Sequence, residues 1–228
     1  MVETLAADVN PPYFYPEYRS TRLRAPAQPL VRVAPSPLEV AGPSFPKHFV
    51  KDSEADLTTW GQTPPLGERM VLVGRVLDDR GRPVRRSLVE VWQANASGRY
   101  PHPVDQHDAP LDPNFLGKGQ VLTDDEGRYR FVTIKPGAYP WQNHAFAWRP
   151  AHIHLSLFGN AYAQRLITQM FFPGDPLLAV DPIFNSVPEA GRRLLIADLD
   201  LEHGVEGVAL GYRFEIVLRG PRATPMGV

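Results

Sequence analysis

The chain contains no cysteine. This absence excludes disulfide bonds, thiolate nucleophiles, cysteine-ligated iron–sulfur clusters and every cysteine-based zinc site. Any metal ion that the protein binds must therefore be held mainly by nitrogen and oxygen ligands.

The chain also lacks an excess of charge of one sign and lacks long apolar runs. Its 24 basic and 25 acidic residues give a formal net charge of -1, so its field would draw neither nucleic acid nor an anionic membrane. No stretch reaches the roughly 18 apolar residues of a membrane span, and the N-terminus has neither the basic start nor the apolar core of a signal peptide. We therefore expect a cytoplasmic protein with no nucleic-acid partner and no membrane partner.

Proline, in contrast, is abundant, because the 25 prolines are roughly twice the average usage. Their density in residues 11–65 disfavours long helices and leaves no periodic stretch for a core element. The same segment is too rich in Tyr, Phe, Leu and Val to be simply disordered. The sequence thus predicts an extended arm over residues 1–66, packed on this subunit or a neighbour, followed by a folded domain over residues 67–228.

From Glu68 onward the sequence consists of short β-rich segments, several of them separated by turn signals at residues 78–81, 124–127 and 135–137. Many short strands without alternating helices favour an all-β fold, an antiparallel β-sandwich with little helix. One helix is predicted at residues 188–198, with Pro188 in its first turn. The predicted strands are residues 70–76, 88–92, 129–134, 152–158, 166–172 and 212–218.

Two histidines, His152 and His154, lie two residues apart in an apolar, β-branched segment. Residues at this spacing on a strand share one face and lie about 6.5–7 Å apart, so two imidazoles can converge on one metal ion. The spacing alone is weak evidence. An alternating histidine pair in an all-β protein is more often a half-buried, hydrogen-bonded pair.

If Tyr100 and Tyr139 share an ion with His152 and His154, the ligand set is two phenolates and two imidazoles. A free tyrosine has a pKa near 10, so ionising two of them at neutral pH needs a strong local positive charge. Fe(III) suits this set because two phenolates and one hydroxide balance its charge, whereas Zn(II) and Cu(II) usually take other ligands. Such an iron would act as a Lewis acid that activates an organic substrate for attack by O2.

Taken one at a time, the candidate residues also have plain structural interpretations. Tyr100 can be an exposed loop tyrosine, and Tyr139 can be an aromatic plug at a strand end. Arg149 can stack on a neighbouring aromatic ring at the surface. Trp141 is by its type a core or rim aromatic, and Gln169 a solvated strand residue. The case for a site therefore depends on the combination.

Several ordered strings of the sequence resemble the intradiol ring-cleaving dioxygenases, and the resemblance runs from about residue 11 to Gly220. It implies a non-haem Fe(III) held by Tyr100, Tyr139, His152 and His154 in an iron-binding catalytic domain. The strings that carry it are residues 88–95 (LVEVWQAN), 98–100 (GRY), 109–115 (APLDPNF), 133–137 (TIKPG), 148–154 (WRPAHIH) and 214–220 (FEIVLRG).

The resemblance also implies roles for residues around the metal. Tyr139 would be displaced when the substrate binds and would take up a substrate proton. Arg149 would bear on the negative charge that develops on the substrate, as preorganised electrostatic groups do. Gln169 matches a polar position next to these groups. The positions that match the substrate pocket of the family are Tyr18, Trp141 and Ile183.

Within the family, the sequence is most similar to two-subunit members that cleave protocatechuate with O2 to 3-carboxy-cis,cis-muconate. A homologous α subunit without the iron ligands completes their pocket, so we expect such a partner in an assembly of αβ units. Three positions depart from the pattern, namely Pro101 and Gln142 in place of basic residues and His107 in place of an aromatic one. The loss of two positive charges would alter the attraction of an anionic substrate.

Two other functions remain open. One is a homo-oligomeric intradiol enzyme for catechol or hydroxyquinol, but such enzymes usually carry a helical N-terminal domain, for which the proline-rich arm leaves little room. The other is a non-catalytic, transthyretin-like binding sandwich or an iron-free subunit. The presence of both tyrosines and both histidines disfavours it, and the colour of the ferric protein separates it from an enzyme.

Overall fold

The computed structural model describes residues 9–31, 45–143, 145, 148–158 and 165–227. In these residues the chain forms a five-stranded sheet, a four-stranded sheet and a two-stranded hairpin. The strands of the five-stranded sheet are β1 (Arg69–Leu77), β4 (Arg128–Ile134), β9 (Asp198–Leu199), β10 (Leu210–Arg213) and β11 (Ile216–Val217). The strands of the four-stranded sheet are β2 (Leu88–Trp92), β3 (Lys118–Leu122), β7 (His152–Phe158) and β8 (Arg165–Phe171).

The five-stranded sheet is built on β1. Its partner on one side is β4, which runs antiparallel, and its partners on the other side are β10 and then β11, which both run parallel. Met70, Leu72 and Val76 of β1 alternate towards the interior, where they join Phe131 of β4 in the main core. This period of two is what buries one face of a strand.

A tyrosine crosses β1 at the break between β10 and β11. The hydroxyl of Tyr129 donates a hydrogen bond to the carbonyl of Phe214 at 2.6 Å. A Cβ on Gly74 of β1 would lie 1.9 Å from that carbonyl oxygen and 2.6 Å from the Tyr129 hydroxyl. Glycine at position 74 therefore leaves room for the hydrogen bond.

The four-stranded sheet has the order β3-β2-β7-β8 and is antiparallel throughout. Val89, Ile153, Leu155 and Met170 of this sheet are buried in the same core as the apolar residues of β1 and β4. The core therefore lies between the two sheets, as in a β-sandwich.

The remaining elements are short. A hairpin joins β5 (Tyr139–Pro140) to β6 (Trp148–Arg149). The α-helices among the described residues are α1 (Thr21–Arg24), α2 (Pro182–Ser186) and α3 (Glu189–Arg192), and the 3-10 helices are Lys47–Phe49, Asp52–Ala55, Leu57–Thr59, Pro176–Ala179 and Arg193–Leu195. In the part of the chain that the structure describes, no helix has the length and apolarity that a membrane crossing requires.

The predicted all-β fold with little helix is confirmed, and the strands at 88–92 and 152–158 have the predicted bounds. The sheets are not antiparallel throughout, because β10 and β11 pair parallel with β1. The single strand predicted at 212–218 is two short strands, since the chain is interrupted at Phe214. The helix predicted at 188–198 is shorter. Pro188 is the N-cap residue of α3, which continues as the 3-10 helix Arg193–Leu195, and the chain is extended again from Ile196.

The predicted arm includes residues 1–8 and 32–44, which lie outside the described residues. Its described parts pack on the domain: Leu57 is buried in the main core, and the side chain of Asn10 accepts a hydrogen bond from the Met226 amide at 2.9 Å. The boundary at residue 66 stays a prediction.

Candidate metal centre

The loop between β2 and β3 presents Tyr100. The side-chain oxygen of Asn95 accepts hydrogen bonds from the amides of Ser97 and Arg99 at 3.0 and 2.9 Å, which folds the chain back after β2. The amide of Tyr100 then donates to Asp105 at 2.7 Å. These bonds fix the backbone that leads into Tyr100.

Two glycines bring this loop against the segment that carries Tyr139. Gly98 has a φ of 77°, and a Cβ there would lie 2.1 Å from the Ala138 carbonyl oxygen. A Cβ on Gly137 would lie 2.4 Å from the Ala96 carbonyl oxygen. Because neither residue has a side chain, the rings of Tyr100 and Tyr139 approach edge to face, with centroids 5.4 Å apart.

Strand pairing places the other candidates beside the tyrosines. Tyr139 of β5 is directly opposite Arg149 of β6. After Pro150 and Ala151 the chain enters β7, where His154 is opposite Gln169 of β8. His152 and His154 share one face of β7, as their spacing predicts. All the predicted metal-ligating residues are thus at one end of the four-stranded sheet.

The two imidazoles point their Nε2 atoms at one another. The Nδ1 atom of His152 lies 2.7 Å from the Pro150 carbonyl oxygen, which assigns the ring proton to Nδ1 and leaves a lone pair on Nε2. The Nε2 atoms of His152 and His154 are 3.2 Å apart. The indole of Trp92 stacks on the His154 ring with centroids 4.8 Å apart and planes within 2°, which holds that ring in place.

Both imidazoles are held in the neutral form. Burial and then the Arg149 charge lower the pKa of His154 to about 3. Burial, Arg149 and His154 lower the pKa of His152 well below its usual range. Neutral imidazole is the form that ligates a metal ion, so the pair is ready to bind one.

The tyrosine hydroxyls complete the set of donor atoms. The Tyr139 hydroxyl lies 3.3 Å from the Nε2 atom of His152. The Tyr100 hydroxyl is buried and makes no hydrogen bond with any described residue. Burial, and then the nearby Tyr139, raise the pKa of Tyr100 well above its usual range, so only a bound cation would ionise it. A buried hydroxyl without a partner, on a ring that packs against Tyr139, fits a metal ion that the two neutral imidazoles also ligate.

Arg149 is buried beside these donors and is only 2% exposed. Its Nη1 atom lies 3.0 Å from the Nε2 atom of His152, and its Nη2 atom donates to Gln169 at 2.7 Å. The carboxylate of Asp181 pairs with it at 2.9 Å. Burial lowers the pKa of Arg149, but Asp181 and Tyr139 together more than offset this, so the pKa lies above its usual value and the guanidinium stays charged.

Of the predicted pocket residues, Trp141 packs directly against Arg149. Its guanidinium carbon is 5.3 Å from the centre of the Trp141 ring, which in turn packs on Tyr18 at 5.1 Å. Tyr18 is buried and precedes α1 in the arm. Ile183 is buried on α2, two residues after Asp181. The structure thus joins Tyr18, Trp141 and Arg149 in one row of contacts.

The three departures from the family pattern have different surroundings. Pro101 and Gln142 are exposed. His107 is half-buried, and its ring meets that of Trp148 edge-on, with centroids 6.0 Å apart.

Sequence reasoning assigned no role to three residues that shape this site, namely Asp181, Trp92 and Asp105. An Asp before Pro182 signals a helix N-cap, and Asp181 does cap α2, but that signal says nothing about Arg149. Trp92 is recognisable only through the register of β2 with β7, in which it is opposite His154. No local signal marks Asp105 as the partner of the Tyr100 amide.

Two family models match this chain. The model described as Dioxygenase matches residues 40–220. The model described as Protocatechuate 3,4-dioxygenase beta subunit N terminal matches residues 8–36.

Individual proteins give the same picture. The chain is 58% identical over 219 residues to a protocatechuate 3,4-dioxygenase beta chain of Burkholderia cepacia, a match that covers 95% of this chain and 93% of the relative. It is 29% identical over 198 residues to a protocatechuate 3,4-dioxygenase alpha chain of the same species, covering 83% and 94%. The crystal structure of 3-chlorocatechol 1,2-dioxygenase from Rhodococcus opacus superposes with a TM-score of 0.56 and 26% identity, covering 72% of this chain and 64% of that one.

Proposed function

Because the chain belongs to the intradiol ring-cleaving dioxygenase family, we propose that it cleaves protocatechuate with O2 to 3-carboxy-cis,cis-muconate at a non-haem Fe(III) site. The beta-chain relative and the beta-chain N-terminal model support the substrate and the subunit type. The observation that carries the proposal is the convergence of the Nε2 atoms of His152 and His154 and the Tyr139 hydroxyl, beside the unpartnered hydroxyl of Tyr100.

The residues that would hold the iron are Tyr100, Tyr139, His152 and His154. Two phenolates and two neutral imidazoles leave one positive charge of Fe(III) to be balanced by a hydroxide. When bound, the ferric ion would supply Lewis acidity, which favours loss of both diol protons and so gives a ring carbon the carbanion-like character that O2 attacks.

Tyr139 is the residue suited to receive a substrate proton. It is half-buried and lies on the short strand β5, with its hydroxyl 3.3 Å from the Nε2 atom of His152. Its phenolate oxygen can accept one proton of the diol as the substrate oxygen takes its place. Tyr100 stays in place, because its backbone is fixed at Asp105.

Arg149 stabilises the negative charge that develops on the substrate. It keeps its charge because Asp181 raises its pKa against the effect of burial. Three of its N–H groups donate to Asp181 and Gln169. Its Nη1 atom faces the Nε2 atom of His152, one of the proposed metal ligands. A cation fixed in a dry site is worth more to the transition state than one in water.

Tyr18, Trp141 and Ile183 would bound the substrate pocket. The contact of Tyr18 with Trp141 links the arm to the edge of the site. Small-molecule sites are mostly apolar with a few polar groups that orient the ligand, and Arg149 would be such a polar group here.

A homologous α subunit is the partner in this proposal. Relatives named as alpha chains and as a beta chain of one enzyme support an assembly of both chain types. We also propose an extended arm over residues 1–66, a catalytic domain over residues 67–228 and a cytoplasmic location.

The test is a visible spectrum of the iron-loaded chain, co-purified with its α partner, before and after anaerobic addition of protocatechuate. We expect a broad phenolate-to-iron band that shifts on addition, and then, with 18O2, a carboxymuconate that contains both oxygen atoms. Catechol and hydroxyquinol serve as competing substrates, and faster turnover of either would assign the chain to another substrate. A chain that binds no iron and stays colourless would contradict the proposal and leave a binding sandwich.

A further inference from the structure

Asp181 contacts none of the metal donors, yet it is fully buried, at 0% exposure. Resting on the proposed function, we infer that Asp181 is a positioning residue, which fixes the Arg149 guanidinium so that one edge faces the bound substrate. Two features of Asp181 support this role. It accepts hydrogen bonds from particular N–H groups of Arg149, and it caps the helix that carries Ile183.

The carboxylate holds the guanidinium at two points. The Nε atom of Arg149 donates to Oδ1 of Asp181 at 3.2 Å, and Nη2 donates to Oδ2 at 2.9 Å. This paired geometry fixes the plane of the guanidinium as well as its position. The second N–H of Nη2 donates to Gln169 at 2.7 Å.

These bonds leave the two N–H groups of Nη1 for the site. Among the described contacts, Nη1 approaches the Nε2 atom of His152 at 3.0 Å. Once that lone pair binds a metal ion, it can no longer accept a hydrogen bond. Asp181 therefore directs the remaining donors of Arg149 to the place where substrate oxygens would lie.

The same carboxylate also anchors a wall of the pocket. Oδ2 of Asp181 accepts a hydrogen bond from the Phe184 amide at 3.3 Å, and Pro182 starts α2 at its first position. Ile183 is part of this helix. One side chain thus sets both the direction of the Arg149 charge and the position of a residue proposed to contact substrate.

The test compares Asp181→Asn, Arg149→Gln and the double variant with wild type, as iron-loaded complexes with the α partner. We expect Asp181→Asn to keep its iron and its resting visible band but to lose turnover per bound iron, on the order of 100-fold, mainly in kcat. If Asp181 acts through Arg149, the same change made in the Arg149→Gln background has little further effect.

A matched control is Asp200→Asn. Asp200 is also buried and accepts a hydrogen bond from the Nε atom of Arg213 at 2.9 Å. This pair lies on the five-stranded sheet, because Asp200 follows β9 and Arg213 ends β10. We expect this variant to lose stability and to keep turnover per bound iron. Equal losses of turnover in the two Asn variants would contradict a positioning role.

Two further outcomes are informative. If Asp181→Asn does not fold, because a buried cation is left unpaired, the Arg149→Gln variant is compared with the double variant, in which that cation is absent. Equal turnover in these two supports the inference, and a large additional loss in the double variant contradicts it. A wild-type complex that binds iron without cleaving protocatechuate would instead overturn the proposed function.

Discussion

Two buried tyrosine hydroxyls in this sandwich differ in what they contact. Tyr129, on the five-stranded sheet, donates to the Phe214 carbonyl at 2.6 Å. Tyr100, at the end of the four-stranded sheet, has no hydrogen-bond partner among the described residues. Burial raises the pKa of both phenols. The first hydroxyl is satisfied within the protein, whereas the second is the one that we propose binds the metal ion.

Each tyrosine also has a glycine that makes room for it. Gly74 leaves space for the Tyr129 hydrogen bond, and Gly98 lets the Tyr100 loop approach Ala138. In both regions a glycine allows the close approach, but only the region of Tyr100 leaves a buried polar group unpaired. An unpaired buried polar group costs stability, so its presence points to a function.

The largest expected effect separates the two tyrosines by activity. Tyr100→Phe removes a proposed iron ligand, so we expect turnover with protocatechuate to fall by more than about 100-fold. The metal-free variant should be as stable as wild type or more stable, because an unsatisfied hydroxyl is lost. Steady-state kinetics measures the turnover, and urea denaturation measures the stability of the metal-free protein. Normal turnover in Tyr100→Phe would exclude this residue as a ligand.

Gly98→Ala tests whether the close approach of the two loops is needed. Gly98 and Gly81 both have positive φ, 77° and 75°, but a Cβ on Gly81 meets nothing within 4 Å. We expect Gly81→Ala to cost about 1–2 kcal/mol of stability for its backbone conformation alone. Gly98→Ala should cost a further 1–3 kcal/mol or so and should also reduce iron binding. Equal losses of stability and full iron occupancy in both would refute this account of the loop.

Tyr129→Phe is the counterpart of the first variant. It leaves the Phe214 carbonyl without its donor, so we expect a loss of about 1–3 kcal/mol in the free energy of unfolding. Turnover per bound iron should stay at the wild-type value, since Tyr129 contacts none of the proposed ligands. A calorimetric melt together with kinetics checks this. A fall in turnover per iron would show that the two regions are coupled.

Measured over one pH unit, the smallest effect is the pH dependence of the metal-free chain. The pKa of His154 is about 3 in the folded state against 6.5 when unperturbed. Below pH 6.5 the unfolded chain therefore takes up a proton that the native chain does not, and stability falls as the pH drops towards 3. His154 contributes up to about 1.4 kcal/mol per pH unit to this slope. Urea denaturation at several pH values should give a shallower slope for His154→Gln, and an identical slope would contradict the neutral assignment.

The sequence predicted the parts of the site that depend on local pattern. The period of two in a strand places His152 and His154 on one face, and the resemblance to the family assigned Tyr100 and Tyr139 as their companions. It did not predict the parallel pairing of β10 and β11 with β1, because strand order depends on packing between distant segments. It also left Asp181 without a role in the site, since its contact with Arg149 joins β6 to the start of α2, 32 residues further along the chain.

The central claim is that the unpartnered hydroxyl of Tyr100 is a ligand to iron. The most direct measurement is resonance Raman spectroscopy of the ferric complexes of wild type, Tyr100→Phe and Tyr129→Phe, excited in the phenolate-to-iron band. We predict phenolate vibrations of two ligands in wild type and Tyr129→Phe, and of one ligand in Tyr100→Phe. An unchanged spectrum in Tyr100→Phe would contradict the claim.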